Sequence, residues 1–301
     1  MADWDDLRVF LAVARAESLS RAGRALKIDP ATVGRRIARL EEALEARLFT
    51  KGPQGYALTE EGGRLLAHAV RAEQAVAGAL EEVRGEAGAL SGQIRIGAPD
   101  GCATFILPQV VSEICDTNPG LEVQIVALPR VFNLSKREAD MAIAVSRPEA
   151  GRLTVQKLTE YHLHLAASRD YLARHPVIAT PADLKTHRVV GYIADMIFDK
   201  ELDYLGEVGA GAVPLASNSV TVQLNWVRQG AGVAVVHDFV LPSAPEVVRI
   251  LPDQVSLTRT FYLIRHADDR RVERLNRFAD LLAQGVRREV ARLESARIMG
   301  G

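Results

Sequence analysis

The sequence contains very little cysteine, and this scarcity excludes two classes of site. Only Cys102 and Cys115 occur among 301 residues, thirteen positions apart. Neither has a paired Cys or His at the spacing of a zinc site, and two cysteines do not suggest a disulfide framework. We therefore expect two small buried thiols, with no metal and no cofactor. A redox role stays open for Cys102 because of the loop in which it lies.

The sequence also lacks a long apolar run, and its first residues do not predict a secretory leader. No stretch predicts a membrane span, and residues 1–6 are acidic where a signal peptide is basic and then apolar. With 48% hydrophobic and 25% charged residues, the composition is typical of a globular protein with two or more domains. We expect a cytoplasmic protein without a membrane partner.

Catalytic motifs are missing as well. There is no phosphate-binding P-loop and no nucleophile elbow. His162 and His164 share one face of a predicted strand, but nothing at a suitable spacing completes a metal site, so we interpret them as surface or hydrogen-bonded core residues. His237-Asp238 beside serines resembles a catalytic pair without the other parts of a site. The sequence therefore predicts non-covalent chemistry and no enzyme activity.

A basic helix-turn-helix pattern is present between Ser18 and Arg47. Apolar residues recur at helical spacing on both sides of an interruption at residues 27–30. Asp29 is a suitable N-cap and Pro30 suits the first helical position, so the second helix should begin at Pro30. Its polar face combines small residues at the leading end with arginines one turn later, which suits contacts with base edges and phosphates. That face carries Ala31, Thr32, Arg35, Arg36 and Arg39.

The surrounding residues extend this pattern to a domain. Nine basic and five acidic residues between Arg15 and Lys51 give a local excess of four positive charges, whereas the whole chain has a net charge of −1. Alone, this also fits two packed helices with a solvated basic face. Residues 4–16 predict a further helix, and residues 48–59 predict a β-hairpin wing in which Lys51 could grip a phosphate. We therefore expect a winged helix-turn-helix domain over residues 1–59.

A long helix with a heptad seam is predicted from about residue 60 to about residue 86. Its apolar residues repeat at steps of four and three, the seam of a coiled coil. A dimer is the economical explanation, and a dimer reads the two half-sites of an interrupted palindrome in double-stranded DNA. The alternative is that the seam packs on its own domain. We assign residues 60–90 to a linker and dimerisation segment. The predicted interface residues are Leu65, Ala69, Ala72, Val76, Ala79 and Val83.

Residues 91–301 alternate short β-branched runs with helical stretches, which predicts a mixed α/β sheet. Strands are expected near residues 93–98, 121–126, 140–145, 188–193 and 212–217. One helix is expected from about Thr104 to about Asp116, and an amphipathic helix should end the chain. Ligands of such sheets bind where strand ends, loops and helix N-termini converge.

Two polar loops of this region follow a strand and open a helix, namely residues 98–104 and 217–219. Amides at such helix starts, with the Thr104 hydroxyl and Asp100, could hold a small polar ligand. Alternatively, Asp100 caps its own helix. Arg130 is a further ligand candidate, although an exposed arginine explains it equally well. The predicted effector-binding residues are Pro99, Asp100, Gly101, Cys102, Thr104, Arg130, Ser217, Asn218 and Ser219.

In order and spacing, several of these segments resemble the LysR-type transcriptional regulators over nearly the full chain. The segments are residues 7–14, 18–23, 31–41, 47–49 and 58–62. The resemblance implies a multidomain α/β protein with an N-terminal winged helix-turn-helix, a long dimerising linker helix and a C-terminal two-lobed, periplasmic-binding-protein-like effector domain. Lobe I would comprise about 91–164 and 266–301, and lobe II about 165–265. The family usually assembles as a tetramer.

The resemblance also implies roles for individual residues. Base contacts would come from Pro30, Ala31, Gly34 and Arg35. Phosphate contacts would come from near Ser20, Arg21, Arg36 and Lys51. The chain departs from the family pattern at two positions, because a serine is usual where Gly34 stands and a glutamine is frequent where Pro30 stands.

The implied partners are operator DNA, a small-molecule effector and further copies of the chain, with RNA polymerase as another candidate. A rival interpretation is a small-molecule-binding or catalytic α/β protein, such as a solute-binding protein. It would explain residues 91–301 and leave the first 90 unexplained. A DNA-packaging protein without an effector is a third interpretation, but it would not need a two-lobed cleft.

Overall fold

A computed structural model gives the structure of the chain over residues 3–52, 55–83, 90–127, 139–148, 151–197, 199–208 and 212–296. The chain divides into two units, residues 1–88 and residues 89–301, and each is described by itself. None of the described helices combines the length and apolar character that crossing a membrane requires.

Four helices and one antiparallel hairpin form the described part of the first unit. The elements are α1 (Trp4–Ala16), α2 (Leu19–Leu26), α3 (Pro30–Leu44), β1 (Phe49–Gly52), β2 (Gly55–Leu58) and α4 (Glu60–Val83). The predicted three-helix unit followed by a hairpin wing is confirmed.

Local chemistry fixes the start of α3. Asp29 accepts a hydrogen bond from the Ala31 amide at 2.8 Å, and Pro30 occupies the first helical position, where its missing N–H costs nothing. The predicted start of this helix is confirmed. The preceding turn is tight, because a β-carbon on Gly23 would lie 2.7 Å from the backbone oxygen of Ile28.

The core of the first unit joins the helices to the hairpin. Phe10 is fully buried, and its ring centroid lies 5.3 Å from that of Phe49 in β1. The Tyr56 amide donates to the Glu17 carbonyl at 3.0 Å, which holds β2 against the end of α1. Gly55 has φ +123°, and a β-carbon there would lie 2.3 Å from the same carbonyl oxygen. The approach therefore needs glycine.

The first turns of α4 pack on this core. Ala69 is buried, and Leu65 is partly buried against the same cluster. Arg15 of α1 also reaches α4, with Nη1 donating to Glu73 Oε1 at 3.1 Å. The assignment of Ala69 to a dimer interface is therefore corrected, because its surface is already covered within the chain. Leu65 keeps part of its surface exposed, so its assignment stays a prediction.

The later seam residues are less covered than Ala69. Ala72 is partly buried, and Val76 is 42% exposed. The side chains of Ala79 and Val83 lie outside the described part of the helix. The dimerisation prediction therefore stays for Leu65 and for the segment from Ala72 onward.

The second unit contains nine strands and six helices among the described residues, together with short 3-10 helices. The elements are β3 (Gly92–Ala98), α5 (Asp100–Phe105), α6 (Leu107–Asp116), β4 (Leu121–Ala127), β5 (Met141–Ala144), β6 (Leu153–Ser168), α7 (Arg169–Arg174), β7 (Val189–Gly191), α8 (Tyr204–Glu207), β8 (Leu215–Ala216), α9 (Val220–Arg228), β9 (Val233–His237), β10 (Val247–Arg249), β11 (Ser256–His266) and α10 (Glu273–Ser295).

One sheet passes through the second unit in the order β4-β3-β5-β11-β6-β9-β7-β8, with β10 also paired to β6. The pairs at both ends are parallel, β3 with β4 and β5, and β7 with β8 and β9. The long strands β6 and β11 pair antiparallel between them. Two parallel regions are thus joined by two long strands, and the predicted boundary at residues 164 and 165 falls inside β6.

Some predicted elements differ from the observed ones. The helix expected from about Thr104 to about Asp116 is two helices, α5 and α6, divided at Ile106. Pro108 in the first turn of α6 explains the division, because proline cannot donate to a preceding turn. The strands expected at 188–193 and 212–217 shorten to β7 and β8. The terminal amphipathic helix is confirmed as α10, which buries Leu275, Phe278, Leu282, Val286 and Val290.

Candidate DNA-binding and effector-binding sites

The leading turn of α3 presents small side chains to the exterior. Pro30, Ala31 and Arg35 are exposed, whereas Thr32 and Gly34 are partly covered. Small residues at this end let the helix backbone approach a base-pair edge. The structure therefore keeps exposed three of the four residues from which base contacts are predicted, and Gly34 is the partly covered one.

The Arg35 side chain folds against the first turn of α3. Its Nη2 donates a hydrogen bond to the Thr32 hydroxyl at 2.9 Å, which holds the guanidinium beside the leading end of α3. Gly34 faces another direction, because a β-carbon there would lie 3.5 Å from Leu19 Cδ1 of α2. A small side chain at this position would be in ordinary contact with α2.

Two arginines of α3 are tied to α1. Arg36 forms an ion pair with Asp5, and Arg39 Nε donates to Asp6 Oδ2 at 2.8 Å. Burial acts to raise the pKa of Asp5, but hydrogen bonds from Arg36 and Arg8 outweigh it and lower that pKa. A phosphate contact from Arg36 would have to compete with this partner, so that contact stays a prediction.

The remaining predicted phosphate ligands flank α3. Ser20 and Arg21 in the first turn of α2 and Lys51 in β1 are exposed. The Glu41 carboxylate of α3 accepts the Leu48 amide at 2.7 Å, which positions the start of the wing relative to the helix. The chain thus carries cations on both elements beside the exposed turn of α3.

The two predicted effector loops meet in the second unit. Asp100 Oδ2 accepts hydrogen bonds from the Ser219 hydroxyl at 3.0 Å and from the Thr221 amide at 3.3 Å. Ser219 also caps α9, with its hydroxyl accepting the Val222 amide at 3.4 Å. The prediction that the two loops face one another is confirmed.

Some predictions for these loops are corrected. Asp100 does not cap its own helix, because Pro99 occupies that N-cap position and the Asp100 carboxylate contacts α9. Helix α5 buries Gly101 and Cys102, which leaves Thr104 exposed and outside the two cavities that follow. Arg130 lies outside the described residues.

Two cavities of the second unit share part of their walls. The small cavity has a volume of about 20 Å³, and Pro99, Asp100, Gly101, Cys102 and Asn218 form part of its wall. The large cavity has a volume of about 190 Å³. Both cavities are lined by Tyr192, Leu202 and Tyr204.

Aromatic residues form the opposite wall of the small cavity. Three of the six tyrosines in the chain, Tyr161, Tyr192 and Tyr204, line it with His237 and Phe261. Sequence reasoning missed the tyrosines and Phe261, because they come from segments far apart in the chain.

The ionisable residues of this wall are held in their uncharged forms. Burial lowers the pKa of His237 to about 4, against the opposing effect of Asp238. Burial also raises the pKa values of Tyr161, Tyr192 and Tyr204. Burial likewise raises the pKa of the Cys102 thiol, whereas a reactive cysteine needs a lowered one. The site is therefore suited to hydrogen bonding and apolar contact.

The histidines singled out in the sequence have carboxylate partners. His162 Nδ1 lies 2.8 Å from Glu294 Oε2, and His164 Nδ1 lies 2.9 Å from Asp238 Oδ1. Asp238 therefore pairs with His164 and not with His237, its neighbour in sequence. The interpretation of His162 and His164 as hydrogen-bonded residues is confirmed.

Comparison with known families matches both units of the chain. Residues 4–63 match the family model described as bacterial regulatory helix-turn-helix protein, lysR family. Residues 87–287 match the LysR substrate binding domain. Together these matches extend over most of the chain.

Individual relatives agree with the family models. The chain is 28% identical over 254 residues to the HTH-type transcriptional regulator PtxR of Pseudomonas aeruginosa, covering 82% of this chain and 81% of that protein. It is 24% identical over 286 residues to the HTH-type transcriptional regulator CrgA of Neisseria meningitidis, covering 93% and 96%. An OxyR mutant of Corynebacterium glutamicum shares the fold, with a TM-score of 0.64, 20% identity and coverage of 98% and 96%. The chain therefore belongs to the LysR family of bacterial DNA-binding transcriptional regulators, with a helix-turn-helix domain and a substrate-binding domain.

Proposed function

We propose that this regulator reads an operator in double-stranded DNA by inserting the leading turn of α3 into the major groove. The observation that carries the proposal is the exposure of Pro30, Ala31 and Arg35 at a helix start capped by Asp29. Exposed cations on α2 and β1 would contact phosphates on either side. Arg36 would contribute only after exchanging Asp5 for a phosphate.

Arg35→Ala tests this proposal. We expect a loss of roughly 1–3 kcal/mol in specific binding, because an arginine contact to a base edge is removed. Binding would be measured at fixed salt to a duplex selected from sheared genomic DNA and to an unrelated duplex. The matched control is Arg64→Ala, which removes an exposed arginine from α4. Equal operator affinity in Arg35→Ala and wild type would contradict the proposal.

Self-association is the second part of the proposal. The seam from Ala72 onward would pair with a second copy, since Val76 is an exposed apolar residue on α4. A dimer places two α3 helices on the half-sites of an interrupted palindrome, and a tetramer would pair two such dimers. Sedimentation equilibrium of the full chain at micromolar concentration tests this part, and a monomer would contradict it.

The effector would bind in the small and large cavities of the second unit. The loops of Asp100 and Ser219 come from the two predicted lobes, so a ligand beside them can favour one lobe spacing over another. The regulator would act in the cytoplasm through non-covalent binding, without catalysis, and RNA polymerase is its expected partner at the promoter.

A further inference from the structure

The chemistry of the two cavities indicates which class of effector they accept, an inference that rests on the proposed function. The large cavity, at about 190 Å³, is smaller than the roughly 300–1,000 Å³ typical of sites for drug-sized ligands. Its wall combines apolar side chains with Tyr192, Tyr204 and Gln223. A compact ligand with a single ring fits this volume and this wall.

Two buried polar atoms beside the small cavity have no hydrogen-bond partner among the residues that the structure describes. They are the Tyr161 hydroxyl and His237 Nδ1, and both side chains are more than nine-tenths buried. On its other side, His237 is in contact with Tyr204, with Nε2 3.3 Å from the Tyr204 hydroxyl. Buried polar groups are normally paired, so these two atoms mark positions where a ligand would supply the missing partner.

The described walls of both cavities contain no lysine or arginine. They do contain the carboxylates Asp100 and Asp203. The nearby guanidinium of Arg259 lies 5.7 Å from the Tyr204 ring centroid, but it is paired with Glu201 at 3.1 Å. His237 is neutral because burial lowers its pKa to about 4. An anionic ligand would therefore lose its hydration without gaining a counter-charge.

The start of α9 would otherwise suit an anion. A helix N-terminus offers unpaired amides and a partial positive charge to carboxylates and phosphates. Here the Asp100 carboxylate takes the Thr221 amide and the Ser219 hydroxyl of this nine-residue helix. The chain thus places its own carboxylate where the carboxylate of a ligand would bind.

We propose that the cavities bind a single-ring ligand without a negative charge that hydrogen-bonds to Tyr161 and His237, and that Asp100 excludes carboxylates by occupying the start of α9. The ring would lie in the large cavity against Tyr192 and Tyr204, and the polar end of the ligand would reach the two unpaired atoms beside the small cavity. Discrimination would come from charge, since an amide and a carboxylate on the same ring have nearly the same shape.

Titration calorimetry of the full chain with benzamide and benzoate tests the proposal, because these probes differ mainly in charge. We expect benzamide to bind at least about tenfold more tightly than benzoate, a difference of about 1.4 kcal/mol. Benzoate binding as tightly as benzamide would overturn the proposal. The absence of benzamide binding at millimolar concentration would overturn it as well.

Two variants assign the effect to residues. Tyr161→Phe removes only a hydroxyl and should weaken benzamide binding about three- to tenfold. Asp100→Asn should strengthen benzoate binding about tenfold or more, because the carboxylate at the start of α9 is removed. The matched control is Asp170→Asn, an exposed aspartate of α7, which should change neither affinity. Unchanged benzoate affinity in a folded Asp100→Asn protein would refute the role of Asp100.

These measurements contain no DNA, so they are separate from the test of operator binding. If Arg35→Ala left operator affinity unchanged while benzamide bound as expected, the proposed DNA-binding function would be contradicted and the ligand class would be supported. If Arg35→Ala weakened operator binding and benzoate bound best, only the ligand class would be contradicted.

Discussion

In each unit of the chain an aspartate is buried against an arginine, and the two ion pairs differ in the surroundings of the arginine. Asp6 in the first unit has a side chain that is 3% exposed, while its partner Arg39 is 57% exposed. Asp238 in the second unit is 4% exposed, and its partner Arg249 is 28% exposed. Asp238 is also bound by His164, which is buried.

Because of this difference, we expect the free-energy cost of breaking each ion pair to depend on the surroundings of the partner as well as on the burial of the carboxylate. If Asp6 is neutralised, Arg39 can turn to water. If Asp238 is neutralised, His164 stays buried, and Arg249 keeps an Nε atom that already lacks a hydrogen-bond partner within the described part of the chain. Breaking a buried pair is expensive mainly because of the group that is left behind.

The largest expected effect is that of Asp238→Asn. We expect a loss of roughly 3–5 kcal/mol in the free energy of unfolding of the second unit. In the variant, His164 and Arg249 lose the carboxylate that both contact in the described structure. Urea denaturation followed by Trp226 fluorescence in a Trp4→Phe background reports on this unit alone, since the chain has only two tryptophans. A loss below roughly 1 kcal/mol would contradict the expectation that the groups left without Asp238 make its removal costly.

The next effect concerns the pH dependence of the second unit. His237 has a pKa lowered from 6.5 to about 4 by burial, so its neutral form is favoured in the folded state. The contribution of His237 to the free energy of unfolding is therefore fully present above the unfolded pKa of 6.5. As the pH drops toward 4, protonation of the unfolded state removes roughly 3 kcal/mol of that free energy.

Comparison with His237→Gln isolates this contribution. The variant should lose stability less steeply than wild type between pH 6.5 and pH 4, measured by the same Trp226 signal. Parallel curves for the two proteins would show that His237 does not titrate on unfolding.

The smallest of the three effects is that of Asp6→Asn. We expect the first unit to lose roughly 1–3 kcal/mol, the range for a hydrogen bond to a charged group, because Arg39 remains solvated. Trp4 fluorescence in a Trp226→Phe background would report the change. A loss equal to that of Asp238→Asn would break the comparison, since exposure of the partner would then make no difference.

Much of the first unit was predictable because its determinants are close together in sequence. Asp29 and Pro30 specify where α3 begins, and the spacing of Val33, Ile37 and Leu40 specifies which face is buried. The ion pairs of Arg36 and Arg39 with α1 were not predictable, since a basic helix face has the same pattern whether it meets solvent or acidic side chains. The packing of Leu65 and Ala69 was ambiguous for a similar reason, because one seam suits a core and a dimer equally well.

In the second unit, the sequence by itself determined the alternation of strands and helices and the two loops that end at Asp100 and Ser219. Only the tertiary structure decided that Asp100 caps α9, and that Tyr161, Tyr192 and Tyr204 meet at one cavity. The physical reason is the range of the interactions. Capping and periodic burial act within a few residues, whereas a cavity is formed by side chains that sheet pairing brings together from distant parts of the chain.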